Sequence, residues 1–272
     1  MWPAPHLGQG ISTANAGFSG AREGWQYALN LATDYTRGFN SIANPRNRAY
    51  NADNDGFRQN SLSGRLAYEF VKGHEAGVTV FYSDGENKYD SGFTPRRAAL
   101  DYRNDQTVSS YSAYLRDAFT SFWTSTVRIG QSIDDSRQLE SGARTSTFRT
   151  RQNQYVWQND FSSDFGKFLL AFERLEQNVD GTTAYAVSQR STNSALAGWT
   201  GRYDAHSLQA NIRIDDNSQF GGKTTGSAAY GYRFNNNWRA NVGYGTAFKA
   251  PTFNDLYFPA FGNPLLKPEF SR

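Results

Sequence analysis

The feature that most constrains this chain is an alternation of apolar and polar side chains with a period of two. Trp25, Tyr27, Leu29 and Leu31 alternate with Gln26, Ala28, Asn30 and Ala32. Leu62, Gly64, Leu66, Tyr68 and Phe70 alternate with Ser63, Arg65, Ala67 and Glu69, and Leu208, Ala210, Ile212 and Ile214 alternate with Gln209, Asn211 and Arg213. Successive side chains of a strand leave opposite faces of the sheet, so the pattern predicts strands with one apolar and one wet face. About twelve such segments are predicted, near residues 11–18, 24–37, 57–70, 75–86, 106–118, 121–134, 146–161, 166–177, 193–204, 206–215, 224–234 and 238–248. Most reach the roughly 9 to 11 residues that a tilted strand needs to cross a bilayer.

The connections sharpen the expectation. Short ones are predicted at 71–74, 118–120, 162–165, 205 and 235–237, and long ones between them at 38–56, 87–105, 135–145, 178–192 and 216–223. A membrane barrel with tight turns at one end and long loops at the other alternates in this way, whereas a β-sandwich has no reason to. The expected fold is all-β, an antiparallel up-and-down transmembrane β-barrel occupying residues 1–272 as one domain. Its wet face points into the lumen, where Arg65, Glu69, Arg202, Arg213 and Arg239 read as lining.

Composition agrees. Hydrophobic residues are only 38% of the 272, yet aromatics reach 15%, and the mean hydropathy is -0.70. Strands that are apolar on one face and carry aromatic girdles combine these properties. No run of about 18 apolar residues exists to make a transmembrane helix, and 1–6 lacks the charged and apolar regions of a signal peptide. Cysteine is absent, which removes disulfides and thiolate metal sites. The formal charge of +3 is spread along the chain with no dense basic run, so no nucleic-acid partner is expected. An enzyme needs a nucleophile and a base in reach of each other, and His6, His74 and His206 lie at the terminus or in short turns, away from any compelling serine.

One loop suggests a hard cation. Asn51-Ala52-Asp53-Asn54-Asp55-Gly56 places acids beside a turn glycine, as the opening of an EF-hand loop does, but position 12 of that pattern is Leu62 in place of a bidentate Glu. Missing oxygens would have to come from the next long connection, where Tyr89, Asp90 and Asp101 lie. Calcium, with its shell of about six to eight oxygens, fits such ligands better than zinc. The same acids also read as solvated loop residues with Asp-Gly turn chemistry.

The stretch 244–268 leaves an alternating strand and runs into a proline-rich, aromatic segment. Prolines lack the N–H that a central strand or a helix needs, so a structured loop is expected there. Within it, Gly245-Thr246-Ala247-Phe248-Lys249-Ala250-Pro251 and Gly262-Asn263-Pro264-Leu265-Leu266-Lys267-Pro268-Glu269 resemble the paired barrel signature of TonB-dependent outer-membrane receptors. The spacing from Asp53-Asn54-Asp55-Gly56-Phe57 to Tyr89-Asp90 and on to Asp101, together with Asp215-Asp216-Asn217-Ser218-Gln219-Phe220-Gly221, is similar to the cobalamin transporter branch of that family.

The resemblance implies a multi-pass barrel in the outer membrane of a Gram-negative bacterium that takes up cobalamin or a related corrinoid. It implies calcium ordering the extracellular loops, with Asp53, Asp55, Tyr89, Asp90 and Asp101 as ligands and Asn51 standing where that branch has Gln. A further family aspartate falls at Phe39, so either Asn40 substitutes or one ion is lost. Ser91 and Thr147 match substrate-contacting positions. Receptors of this kind have about 22 strands around a plug, so the expectation is a partial barrel without the plug that engages the TonB complex and without the final strands. Outer-membrane lipid and lipopolysaccharide are the expected surroundings. A ferric-siderophore or haem receptor of the same family and a passive pore are the competing readings.

Overall fold

The computed structural model describes residues 10–47, 49–91 and 100–272; 1–6, with His6, and most of the connection after Ser91 lie outside them. Among the described residues one antiparallel sheet runs β1 (Ile11–Arg22), β2 (Trp25–Phe39), β3 (Asp55–Val71), β4 (His74–Tyr89), β5 (Tyr102–Ala118), β6 (Trp123–Glu140), β7 (Ala143–Ser163), β8 (Gly166–Gly181), β9 (Gln189–Tyr203), β10 (His206–Asn217), β11 (Gly221–Arg233) and β12 (Arg239–Gly245). Each strand pairs with its sequence neighbours and with no others. That order is an up-and-down meander, and every predicted strand is present. Among the described residues, no helix is long and apolar enough to cross a membrane.

The register decides which residues share a face. Tyr27 lies opposite Leu66, Leu66 opposite Val78, and Val78 opposite Ala113; farther along, Val127 lies opposite Trp157, and Trp157 opposite Phe172. These side chains form a continuous apolar belt, and it is not covered by protein: Val78 is 51% exposed, Phe172 54% and Val242 67%. Leaving each large apolar side chain in water forgoes about 1.5–3 kcal/mol of burial. A belt of this width is therefore stable only against lipid.

The opposite face is wet, as expected. Arg65 bonds to Glu75 at 3.1 Å and to the Tyr114 hydroxyl at 2.8 Å, and Arg213 joins Glu173 at 3.0 Å and Asp215 at 2.7 Å. Charges aimed into a lumen satisfy one another there.

Three expectations about connections are corrected. The long loop expected at 135–145 is strand on both sides of a two-residue turn, Ser141–Gly142, with φ 48 and 84. Tyr102 still pairs with Glu140 at its tip. A strand continues wherever a neighbour supplies hydrogen bonds, even when both faces are polar and the alternation has lapsed. For the same reason 178–192 shrinks to 182–188 and 216–223 to 218–220, leaving 40–54 and the connection after Tyr89 as the long ones among these links.

The proline-rich stretch also holds a helix that the prolines argued against, α1 (Phe253–Tyr257). Pro251 precedes its N-cap, Thr252, and so removes no internal hydrogen bond. Thr252 and Asp255 form a reciprocal capping box, and Phe253 and Leu256 are buried, Leu256 to 1% exposure. Flanking it, β13 (Ala247–Lys249) pairs with β14 (Glu269–Ser271).

Candidate metal centre

β2 and β3 end at one rim of the sheet, as do β4 and β5, and the loops 40–54 and 90–101 join them there. Two sequence-distant acidic clusters are thereby neighbours. One carboxylate oxygen from each of Asp53, Asp55 and Asp90 lies within 4.8 Å of the other two. Ligands on one calcium ion, at 2.3–2.6 Å from it, are at most about 5 Å apart, so the trio can share a single ion.

The electrostatics of the trio point the same way. Asp53 Oδ1, Asp55 Oδ1 and Asp90 Oδ2 are buried atoms with no hydrogen-bond partner, although Asp55 Oδ2 accepts from Ser41 N at 2.7 Å. Burial and the carboxylate of Asp55 raise the Asp53 carboxyl above the ordinary aspartate range, with Lys88 opposing the shift. Asp90 is raised by burial and by Asp55 and Asp53. Converging carboxylates repel, Lys88 offsets this only in part, and a hard cation is the partner their oxygens suit.

The loops are braced around this point. Asn40 donates its side-chain amide to Asn51 O and accepts from Ile42 N through Oδ1 at 2.9 Å. Both ends of Asn40 are thus engaged in shaping the loop. Phe39 is 59% exposed and offers no oxygen. Asn51 donates to Leu100 O at 3.3 Å, which leaves its side-chain carbonyl oxygen as the atom it could present to an ion.

The other candidates sit at different distances from the trio. Asp101 is held by cations of this chain: Lys88 Nζ lies 3.5 Å from Oδ1, an ion pair without hydrogen-bond geometry, and Arg103 Nε lies 3.4 Å from Oδ2. Tyr89 precedes Asp90 and packs its ring against Tyr102, centroids 5.8 Å apart. Ser91 follows Asp90 at the edge of the described residues. Thr147 is not brought near: β5 and β6 separate its strand from β4, it shares the outward row with Trp157, and its N–H is taken by Thr182 Oγ1 at 3.0 Å.

Sequence reasoning did not single out Lys88 and Arg103. Both fall in 87–105, expected as loop, and it is the register of β4 against β5 that sets them directly opposite each other.

Comparison with known proteins fits this architecture. Residues 4–272 match the family model described as TonB dependent receptor-like, beta-barrel. The chain is 29% identical over 251 residues to a vitamin B12 transporter, BtuB, of Photobacterium profundum, covering 92% of this chain and 40% of that protein. It is 25% identical over 245 residues to the protein of the same name in Vibrio cholerae, covering 90% and 40%. The chain thus spans about two fifths of the length of these relatives. Among solved structures, the ferric enterobactin receptor PfeA of Pseudomonas aeruginosa superposes with a TM-score of 0.77 at 14% identity, over 94% of this chain and 43% of that one. The siderophore receptor PirA of Acinetobacter baumannii superposes at 0.74 and 17% identity, over 98% and 47%. These relatives are transporters and receptors, not enzymes, and at such identities the two structures speak to the fold. With its twelve-stranded meander, lipid-facing belt and match along nearly its whole length, the chain belongs to the TonB-dependent receptor-like β-barrel family.

Proposed function

We propose that this chain is the barrel portion of an outer-membrane receptor that takes up a corrinoid such as cobalamin, with energy delivered through TonB. The observation that carries the reading is the meeting of Asp53 and Asp55 with Asp90 from separate loops, each with an unpartnered buried oxygen. The names of the relatives at 29% and 25% identity support the ligand class.

Asp53, Asp55 and Asp90, with Asp101, Asn51 and Tyr89 at the margin, would hold calcium. Bound there, calcium would supply the positive charge that Lys88 supplies only in part. The residues then do the rest: Asn51 ties its loop to Leu100, Asn40 shapes the loop, and the rim enters ligand binding already ordered. Loops that must order on binding lose affinity through conformational entropy, and a pre-ordered rim avoids that loss. Ser91, next to Asp90, is the proposed ligand contact.

The test uses the full-length receptor in outer-membrane vesicles. Cyanocobalamin should bind, and excess EGTA should weaken binding at least about tenfold, with recovery on adding calcium. Preference for ferric enterobactin, haemin or no ligand would favour the siderophore, haem or pore readings. Unchanged cyanocobalamin affinity in EGTA would remove the role assigned to the acids.

A further inference from the structure

Asp101 is held, but loosely. Lys88 Nζ lies 3.5 Å from its Oδ1 and Arg103 Nε lies 3.4 Å from its Oδ2, and neither contact has hydrogen-bond geometry. Asp101 Oδ1 is itself a buried atom with no hydrogen-bond partner. The side chains of Lys88 and Asp101 are 38% and 41% exposed, and ion pairs so open to water are weak. Attraction without a hydrogen bond therefore leaves this carboxylate free to change partners.

The two cations differ in what else holds them. Arg103 Nη1 donates to Glu86 Oε2 at 3.2 Å, which fixes its guanidinium whether or not Asp101 is near. Lys88 has no second ion pair among the described residues. It stands one residue before the end of β4, directly opposite Arg103 on β5, so the sheet fixes its backbone while a flexible four-carbon stem can carry the ammonium into water. Its charge also reaches the acidic trio. Burial and Asp55 raise the Asp53 carboxyl, Lys88 opposes that shift, and Asp101 adds to it. The pair and the trio thus belong to one field of charge.

We infer that Lys88 is a tethered competitor of the metal: its ammonium holds Asp101 until a divalent cation takes that carboxylate, and its charge sets how tightly the cation binds. The inference rests on the calcium reading given under Proposed function. Three carboxylates leave the calcium shell of about six to eight oxygens short, and Asp101 is an acid already close enough to act on Asp53. Calcium brings two charges where the ammonium brings one, so it wins the carboxylate. It must nevertheless displace Lys88 and then bind in the field of the released ammonium, and both effects weaken binding. The bracing of the loops is untouched by the exchange, since the contacts of Asn40 with Asn51 and of Asn51 with Leu100 do not involve Lys88. Lys88 therefore acts on the affinity for the metal through charge and not through loop order.

The test is calorimetric titration of the full-length receptor in detergent with calcium chloride at neutral pH. Lys88→Gln should bind calcium about tenfold more tightly than wild type, the order of change expected when a unit charge beside a divalent ion is removed at a half-exposed site. Lys88→Arg, which keeps the charge, should stay near wild type. Adding Asp101→Asn to Lys88→Gln should cancel most of the gain, because the released carboxylate is what the metal acquires. In excess EGTA the melting temperature of Lys88→Gln should fall below that of wild type, since the acids then lose their only partial counter-charge among the described residues. If Lys88→Gln does not migrate as a folded barrel, Lys88→Met, which keeps the stem, carries the comparison. Calcium affinity in Lys88→Gln equal to or weaker than in wild type overturns the inference and leaves the calcium reading standing, as does a gain that persists in full with Asp101→Asn. Absence of calcium binding in wild type removes that reading and this inference together.

Discussion

The side-chain amide of Asn51 donates to the main-chain oxygen of Leu100 at 3.3 Å, joining two loops whose residues are 49 positions apart. Through this bond the loop that carries Asp53 and Asp55 is held against the one that begins with Asp90. The geometry of the acidic trio therefore depends on a residue that need not itself be a ligand.

Calcium and protons should compete at that trio. Asp53 and Asp90 have raised carboxyl pKa values without metal, so between the ordinary and the raised value the folded state binds more protons than the unfolded one. By linkage, the metal-free protein loses stability as pH rises through that window. Calcium, which needs the deprotonated acids, should restore it. The rise in melting temperature on adding calcium to the full-length receptor should accordingly be larger at neutral pH than at pH near 4. Asp53→Asn with Asp90→Asn should abolish the difference, and a calcium effect independent of pH in wild type would contradict this account.

Arg190 should clamp the α1 segment onto the strand ends. It is 9% exposed, donates to Pro251 O at 2.9 Å and stands 4.9 Å over the Phe253 ring. Arg190→Ala leaves the Pro251 carbonyl without that donor, a loss of about 1–3 kcal/mol, concentrated in the segment. Limited trypsin digestion should then cut after Lys249 markedly faster than in wild type. Arg190→Lys, which keeps the charge and loses the fork, should be intermediate.

Gly77 should prove intolerant of a side chain. The Tyr114 ring lies against it, 2.5 Å from where a Cβ would stand, and the Tyr114 hydroxyl donates to Glu75 at 2.5 Å while accepting from Arg65. Gly77→Val must push the ring off this network, at about 1–3 kcal/mol. The gel-shift temperature at which the barrel unfolds should fall, and by more than for a valine at the exposed turn glycine Gly142, where open space surrounds the Cβ position and only the backbone is strained.

Much of this was legible in the sequence. Trp25 to Leu31 and Leu208 to Ile214 declared their faces because alternation is a property of the strand itself. The stop points were less legible: nothing local in 135–145 says that β6 and β7 continue, since their hydrogen bonds come from each other and from β5 and β8. Thr252 and Asp255 carried a readable helix start, which the prolines around them obscured.

The sequence by itself determined the two-faced strands, and with them a wall that needs lipid on one side, because side-chain direction follows from backbone geometry one residue at a time. Only the tertiary structure decided that Asp90 meets Asp53 and Asp55, that Lys88 and Arg103 hold Asp101, and that Thr147 sits strands away on the outward row. Those facts depend on which strand lies beside which and in what register, and pairing between distant segments is not encoded in any one of them.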